Sequence, residues 1–467
     1  MSRVNTGSSQ GGGAIVTVAA LSAMFGTMLV QVVTVMSAAI SARGLENVGT
    51  VSLTLSMVGA VFFGIAVYVG GIVTANSVST VIAGRTREIA LLRLLGASGR
   101  SLRGEVVRTG FRQGLLGAAI GLVAGVALVA LGAEFAMRNG MMGRFEYPLV
   151  SFGLVVPPLA VIASTVIASW SGSRRVLVVA PADAAGSSAE PRYDELRART
   201  VRNVFAIVLV VIGGLLLAGG VVMGLTNPTG VLPGLLGGMV SFTGVVLGAP
   251  VLLPPLTALV GRAFGGSPVA RLASANAIRN PARSARAVIG LVIGVALVTM
   301  FAVGTATFSS IMKRAGELNP EQFAAFEQIV SVTTAVMTVL LGFSVLLAAV
   351  GMVNTLSLSV LQRRRELGLL RALGFTGSQV RSMVVLEAAQ MILAAILLGV
   401  VLGIAYGWCG AVSLFGSNPG VGLVPPTIPV PTLVGVLAVS IAITVVSAVV
   451  PARRATTVSP VAALAVA

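Results

Sequence analysis

Apolar residues fill this chain in long runs broken by short polar gaps. Ten runs are long enough to cross a bilayer core as helices, which takes about 20 residues. They lie near 14–40, 51–82, 112–133, 149–171, 203–224, 232–262, 287–310, 329–360, 388–412 and 429–450. The pattern predicts an all-α polytopic membrane protein of about ten transmembrane helices. Prolines within "VVPPLA" (155–160) and "APVLLPPL" (249–256) predict kinks in two of them.

The gaps alternate in charge. With the N-terminus in the cytoplasm, the outside loops hold only Arg43, Arg138, Arg144, Lys313 and Arg314, and the other 26 of the 31 basic residues fall inside. Basic residues concentrate on the cytoplasmic side of membrane proteins. Both termini are therefore expected in the cytoplasm and the chain in the inner (plasma) membrane. The same bias accounts for the formal charge of +17 without a nucleic-acid partner. Glu105, Glu134 and Glu387, with Arg108 and Arg112, flank spans, where long charged side chains snorkel to the interface.

Two of the basic gaps repeat one another. Displacing the sequence by 278 positions lays "RTREIALLRLLGASGRSLRGEVV" (85–107) on "RRRELGLLRALGFTGSQVRSMVV" (363–385) without a gap, and 14 of the 34 residues from Asn76 to Thr109 are identical. The offset continues into the following span, pairing Gly121 with Gly399 and Gly125 with Gly403. One further residue of offset lays "SRRVLVVAPADAA" (173–185) on "ARRATTVSPVAAL" (452–464). The chain thus divides into a polar cytoplasmic tail (1–13), a four-span unit (14–185), a linking segment with two spans and a basic stretch (186–286), and a second four-span unit (287–467). Two linking spans return the chain to its starting side, so the repeats are parallel, related by an axis along the membrane normal.

Within the charged segment, Ile89, Leu91, Leu92 and Leu95 recur at helical spacing, with Arg87, Glu88 and Arg93 away from the centre of the stripe. This is a short amphipathic helix. Gly96 is placed to end it and Ser98 to cap a second helix running into the next span, and Gly374 and Thr376 match them in the other copy. A basic helix lying on lipid needs only charge and apolar area. Conservation between the copies of an acidic residue, Glu88 and Glu366, and of the glycine turn favours docking of a cytoplasmic partner. Gly117, Gly121 and Gly125, and Gly399, Gly403 and Gly407, are ladders that admit close helix packing, perceived from sequence as a contact between the halves. Asn76 and Asn354, near the cytoplasmic ends of their spans, are placed to hydrogen-bond between helices.

The phrase "NTLSLSVLQRRRELGLLRALGFTGSQVRSMVVLEA" (354–388) resembles the signature of the FtsX/MacB/LolCE-like permeases of ABC transporters, "ANSVSTVIAGRTREIALLRLLGASGRSLRGEVV" (75–107) resembles a second copy, and "NAIRNPARSARAVIGLVIG" (276–294) resembles the lead-in to the second domain of ten-span members. The resemblance implies that Arg85–Leu95 and Arg363–Leu373 are coupling helices docking on a separate cytoplasmic ABC-type ATPase, two protomers per chain. Arg85, Arg87, Glu88, Arg93 and Gly96, and Arg363, Arg365, Glu366, Arg371 and Gly374, would form the docking elements. ATP and Mg would then sit on the ATPase, with no cofactor on this chain, and the implied function is export or extraction of an amphiphilic, lipid-like substrate from the membrane.

Composition narrows the alternatives. Histidine is absent, Cys409 is the only cysteine and Lys313 the only lysine. Zinc sites of Cys and His, Ser-His-Asp triads and disulfides are excluded, and so is a phosphate loop, because Arg314 follows Lys313. The chain is expected to be no enzyme on its own. A mechanotransmitting subunit acting on an external partner shares the coupling helices but has only short outside loops to work through. An ion-driven secondary transporter would need ionisable or broken-helix sites at mid-membrane, and the centres of these spans are nearly free of charge.

Overall fold

In the computed structural model the described residues are 8–41, scattered positions between 60 and 76, 86–139, 145–174, 200–263, 268–279, 281–318, 374–417 and most of 422–438. Among them the regular structure is entirely helical. The protein is all-α. In chain order the helices are α1 (Ser8–Ser41), α2 (Thr86–Leu94), α3 (Gly99–Arg138), α4 (Val156–Gly172), α5 (Thr200–Gly224), α6 (Val231–Arg262), α7 (Pro268–Arg279), α8 (Pro281–Leu318) and α9 (Gly377–Phe415). Seven of them, all but the short α2 and α7, are long and apolar enough to cross a membrane, and they coincide with seven of the ten expected spans. The runs near 51–82, 329–360 and 429–450 lie largely outside the described residues.

The chain forms two compact units, Met1–Ser188 and Ala189–Ala467. In the first, α3 packs along α1 and against α4. In the second, α9 packs along α8, and the α5–α6 hairpin and α7 also rest on α9. Residues 186–286, set apart as a linking segment by the sequence, thus supply helices that fold against the second repeat.

The glycine ladders lie where the helices of each repeat come closest. A methyl group at Gly117 would stand 2.6 Å from the Ala19 Cβ, and one at Gly125 would stand 2.8 Å from the Thr27 Cβ and 2.9 Å from the Met24 carbonyl oxygen. In the second repeat, a methyl at Gly399 would meet the Val295 Cβ at 2.9 Å, and one at Gly403 the Thr299 Cβ at 2.5 Å and the Ala296 carbonyl at 2.6 Å. Each ladder is therefore filled from within its own repeat. Thr27 and Thr299, both fully buried, do the same job 272 positions apart while their glycines are 278 apart.

The α5–α6 hairpin goes further and brings backbone against backbone. A methyl at Gly220 would lie 2.7 Å from the Gly234 nitrogen, one at Gly237 would lie 2.6 Å from the Leu217 nitrogen, and one at Gly244 would lie 2.7 Å from the Ala206 carbonyl. The hairpin is joined to α9 by a 2.9 Å hydrogen bond between the Ser241 and Tyr406 hydroxyls. Two of the loops are pinned as well. Gln31 donates through Nε2 to the Pro148 carbonyl at 3.1 Å, and Trp408 donates through Nε1 to the Val424 carbonyl at 2.7 Å.

Prolines behave differently in the two helices that carry them. Pro250, Pro254 and Pro255 lie inside α6. Pro157 and Pro158 instead fall in the first turn of α4, where an amide proton has no intrahelical partner to lose. They start that helix rather than kink it, which corrects the sequence reading.

The ladder geometry fixes an outcome. Gly121→Ala and Gly403→Ala put a methyl against backbone carbonyls of the facing helix, and each is expected to destabilise the protein in detergent by about 1–3 kcal/mol. Gly132→Ala on the same α3, with nothing within 4 Å of the added methyl, is expected to leave the thermal unfolding midpoint unchanged or slightly higher.

Candidate functional site

The first charged segment folds as a helix–turn–helix foot at the end of α3. Helix α2 closes on Gly96, whose φ of +94° is the left-handed conformation that glycine adopts without strain. The Ala97 amide donates to the Leu92 carbonyl at 3.0 Å and the Gly96 amide to the Arg93 carbonyl at 3.1 Å, the paired bonds of a Schellman ending. Two residues later Ser98 accepts from the Ser101 amide at 3.1 Å and starts α3. The turn is short and fully hydrogen-bonded.

The second repeat has the matching left-handed glycine and capped helix start. Gly374 has φ +98°, and Thr376 caps α9 in a reciprocal capping box: the Gln379 amide donates to the Thr376 Oγ1 at 3.3 Å while the Thr376 amide donates to the Gln379 Oε1 at 2.9 Å. The left-handed glycines and the caps expected from the sequence are present in both copies, and the helix expected before Gly374 lies outside the described residues.

The stripe on α2 divides in two. Ile89 and Ala90 are buried against Ile15 of α1 and Leu102 of α3, with Ala97 and Val106 packed alongside. Leu91, Leu92, Leu94 and Leu95 face outward, Leu95 being 84% exposed. A nine-residue helix touching its support along one edge anchors through two side chains and leaves the rest of its apolar surface uncovered. Arg93 is half-buried on the same helix. Arg87 and Glu88 belong to α2, but their side chains lie outside the described residues, as do Arg85, Arg363, Arg365, Glu366, Arg371 and Asn354. Asn76 is helical and half-buried.

Sequence reasoning passed over the residue that ties the foot to α4. Arg103, in the second turn of α3, donates through Nη2 to the Trp170 carbonyl at 3.0 Å and through Nε to the Ser173 Oγ at 3.3 Å. Its guanidinium lies 4.5 Å from the centre of the Trp170 ring, and that of Arg174 lies 5.0 Å from the same ring. A cation at the last carbonyls of a helix is favoured by the helix dipole, and the indole face adds a cation–π attraction. The available signal was the identity of Arg103 with Arg381 across the repeat.

The flanking charges separate by environment. Glu105, Arg108 and Arg112 are exposed, and Glu134 pairs with Arg138 at 2.8 Å. Glu387 does not snorkel: it is 3% exposed, because α6 and α7 pack over this part of α9.

The FtsX-like permease C-terminal domain matches this chain twice, over residues 60–180 and 338–460, and each match contains one glycine turn with its capped helix. The chain belongs to the FtsX-like permease family. Among curated relatives, an uncharacterised ABC transporter permease of Methanocaldococcus jannaschii is 30% identical over 148 residues, 32% of this chain and 37% of the relative. The uncharacterised ABC transporter permease YknZ of Bacillus subtilis is 28% identical over 148 residues, 32% of this chain and 35% of the relative. The lipoprotein-releasing system transmembrane protein LolC of Haemophilus influenzae is 29% identical over 143 residues, 31% of this chain and 36% of the relative. The matched region thus spans little more than a third of each relative's length. The two family matches begin 278 positions apart, the displacement at which the FtsX-like foot repeats.

The turns give a local outcome. Gly96→Ala forces a side chain into left-handed backbone at a cost of about 1–2 kcal/mol, so amide hydrogen exchange over residues 96–103 is expected to speed up roughly 5- to 30-fold, the same cost read as local opening. Exchange at the core of α3 is expected to stay unchanged.

Proposed function

We propose that this chain is the membrane subunit of an ABC transporter and that its two feet are the coupling helices of that machine. The observation that carries the reading is the left-handed glycine followed by a capped long membrane helix in both copies, with a row of leucines turned outward in the copy where α2 is described. Apolar side chains in that position fit a hydrophobic cleft on a protein partner, and the sequence pattern assigns Arg87, Glu88 and Arg93, with Arg365, Glu366 and Arg371 in the second copy, as the charged residues of the docking segments. The partner is a cytoplasmic ATPase that binds ATP and Mg, with one protomer on each foot, so the chain needs no nucleotide site of its own. The permease units are 14–185 and 287–467, and both termini are cytoplasmic, in the inner membrane.

Closure of the ATPase protomers around ATP would push the feet as rigid bodies. In the first unit the foot is joined to α1 through Ile15, to α3 by continuous helix, and to α4 through Arg103, so the displacement reaches three spans together. An amphiphilic, lipid-like cargo moved out of the membrane agrees with the almost wholly apolar spans and with the similarity to a protein of a lipoprotein-releasing system.

Co-purification with a candidate cytoplasmic ABC-type ATPase co-expressed with this chain tests the reading. Leu91→Asp with Leu95→Asp is expected to weaken co-purification about 30-fold, the scale of losing one anchoring contact of about 2 kcal/mol. Glu88→Ala with Glu366→Ala is expected to leave membrane insertion intact and to abolish stimulation of ATP hydrolysis by cargo. Undiminished binding and stimulation in both variants would refute the proposal.

A further inference from the structure

The two repeats differ on one face that their common fold leaves free. At the 278-residue offset, Glu105, Thr109, Arg112 and Leu116 of α3 correspond to Met383, Glu387, Gln390 and Ala394 of α9. All four residues of α9 are buried and all four of α3 are exposed. The cover on α9 comes from α6 and α7. Met383 joins Ala273 in one cluster and meets the Asn276 amide at 3.8 Å, and the Gln390 Oε1 would stand 3.5 Å from a methyl at Gly261. In the first unit no described helix occupies the matching face of α3.

The residues on that face are wrong for a second protein helix. Ala394, fully buried, lets a neighbour approach, whereas Leu116 in its place is 60% exposed and would hold one off. Arg108 and Arg112, both exposed and about 6 Å apart along the helix, would have to surrender their hydration under a packed helix at a cost of several kcal/mol each.

They suit a lipid instead. Arg112 stands where the apolar stretch of α3 begins, the level of the headgroups. A guanidinium offers a planar fork of donors that matches phosphate oxygens. Leu116, Ile120 and Val123 continue from Arg112 along one line, with Ile120 55% and Val123 70% exposed. On the other side Glu105 repels an anion and sets the outer limit of the site.

We propose that this face of α3 binds an anionic phospholipid of the cytoplasmic leaflet, its phosphate held by Arg108 and Arg112 and an acyl chain lying along Leu116, Ile120 and Val123. The inference rests on the orientation adopted above and is independent of the ATPase.

The test uses the full chain, reconstituted in phosphatidylcholine nanodiscs containing phosphatidylglycerol, with retained lipid measured by native mass spectrometry. Each neutralised arginine is expected to weaken retention about fivefold, so Arg108→Gln with Arg112→Gln loses roughly 25- to 30-fold. Arg108→Lys with Arg112→Lys keeps most of it, which separates lost charge from lost folding. Arg138→Gln, at the opposite end of α3 beside Glu134, retains as much as the native chain. Equal retention by the native and the glutamine variants overturns the proposal. So does displacement of the lipid by millimolar inorganic phosphate, which would mark a site for the free ion, or cross-linking of Leu116→Cys to a second copy or another protein. Because the readout is bound lipid and not ATP hydrolysis, loss of ATPase coupling with lipid retained counts only against the function proposed above.

Discussion

Close approach of helix backbones at glycine is the constraint on which this protein depends. In a bilayer the hydrocarbon around a helix is as apolar as its own side chains, so burial supplies little drive for helices to associate. What remains is dispersion, which falls off steeply with separation. Gly121 and Gly125 let α1 come within contact of the α3 backbone, and Gly399 and Gly403 do the same for α8 and α9. The α5–α6 hairpin pushes this to its limit, with Gly220 against Gly234. A helix pair held this way behaves as one body, since a small displacement forfeits contacts along its whole length.

That rigidity gives the foot something to act upon. Helix α3 runs unbroken for 40 residues, about 60 Å, roughly twice the hydrocarbon thickness. The same helix therefore carries the capped turn at one end and the glycine ladder further along. Gly104, Gly110 and Gly114 lie between the two, but no proline does, and the helix runs through them without interruption. Arg103 closes the frame by fastening the base of α3 to the last carbonyls of α4.

Much of this was legible in the sequence, for physical reasons that also explain what was not. A left-handed residue ending a helix nearly demands glycine and a capped start demands a side-chain oxygen, so Gly96, Ser98, Gly374 and Thr376 declared themselves. The ladders were visible as spacing, but their partners were not. The facing residues Thr27 and Thr299 are related by 272 positions and the glycines by 278, so a single displacement of the sequence loses the first helix of each repeat. Arg103 was repeated as Arg381, yet its partner Trp170 has Val449 at the matching position, and a contact across 67 residues leaves no local trace. The burial of Glu387 depends on α6 and α7 lying over it, which no window around Glu387 contains.

Fusing two copies into one chain is what allows them to diverge. Two separate identical subunits must carry the same residue on every face, so a surface that buries Gln390 under α6 could not also expose arginine. Here α9 has Gln390 and Ala394 buried on the face that the hairpin and α7 cover, and α3 has Arg112 and Leu116 exposed at the equivalent positions. The parts that stay alike are the glycine turns, the capped helix starts and the ladders, which set the shape of each foot and its attachment to its span. The parts that differ lie on the outer faces, where each copy meets its own surroundings. The internal symmetry is thus kept at the turns, caps and ladders and relaxed where α9 is covered by protein and α3 is not.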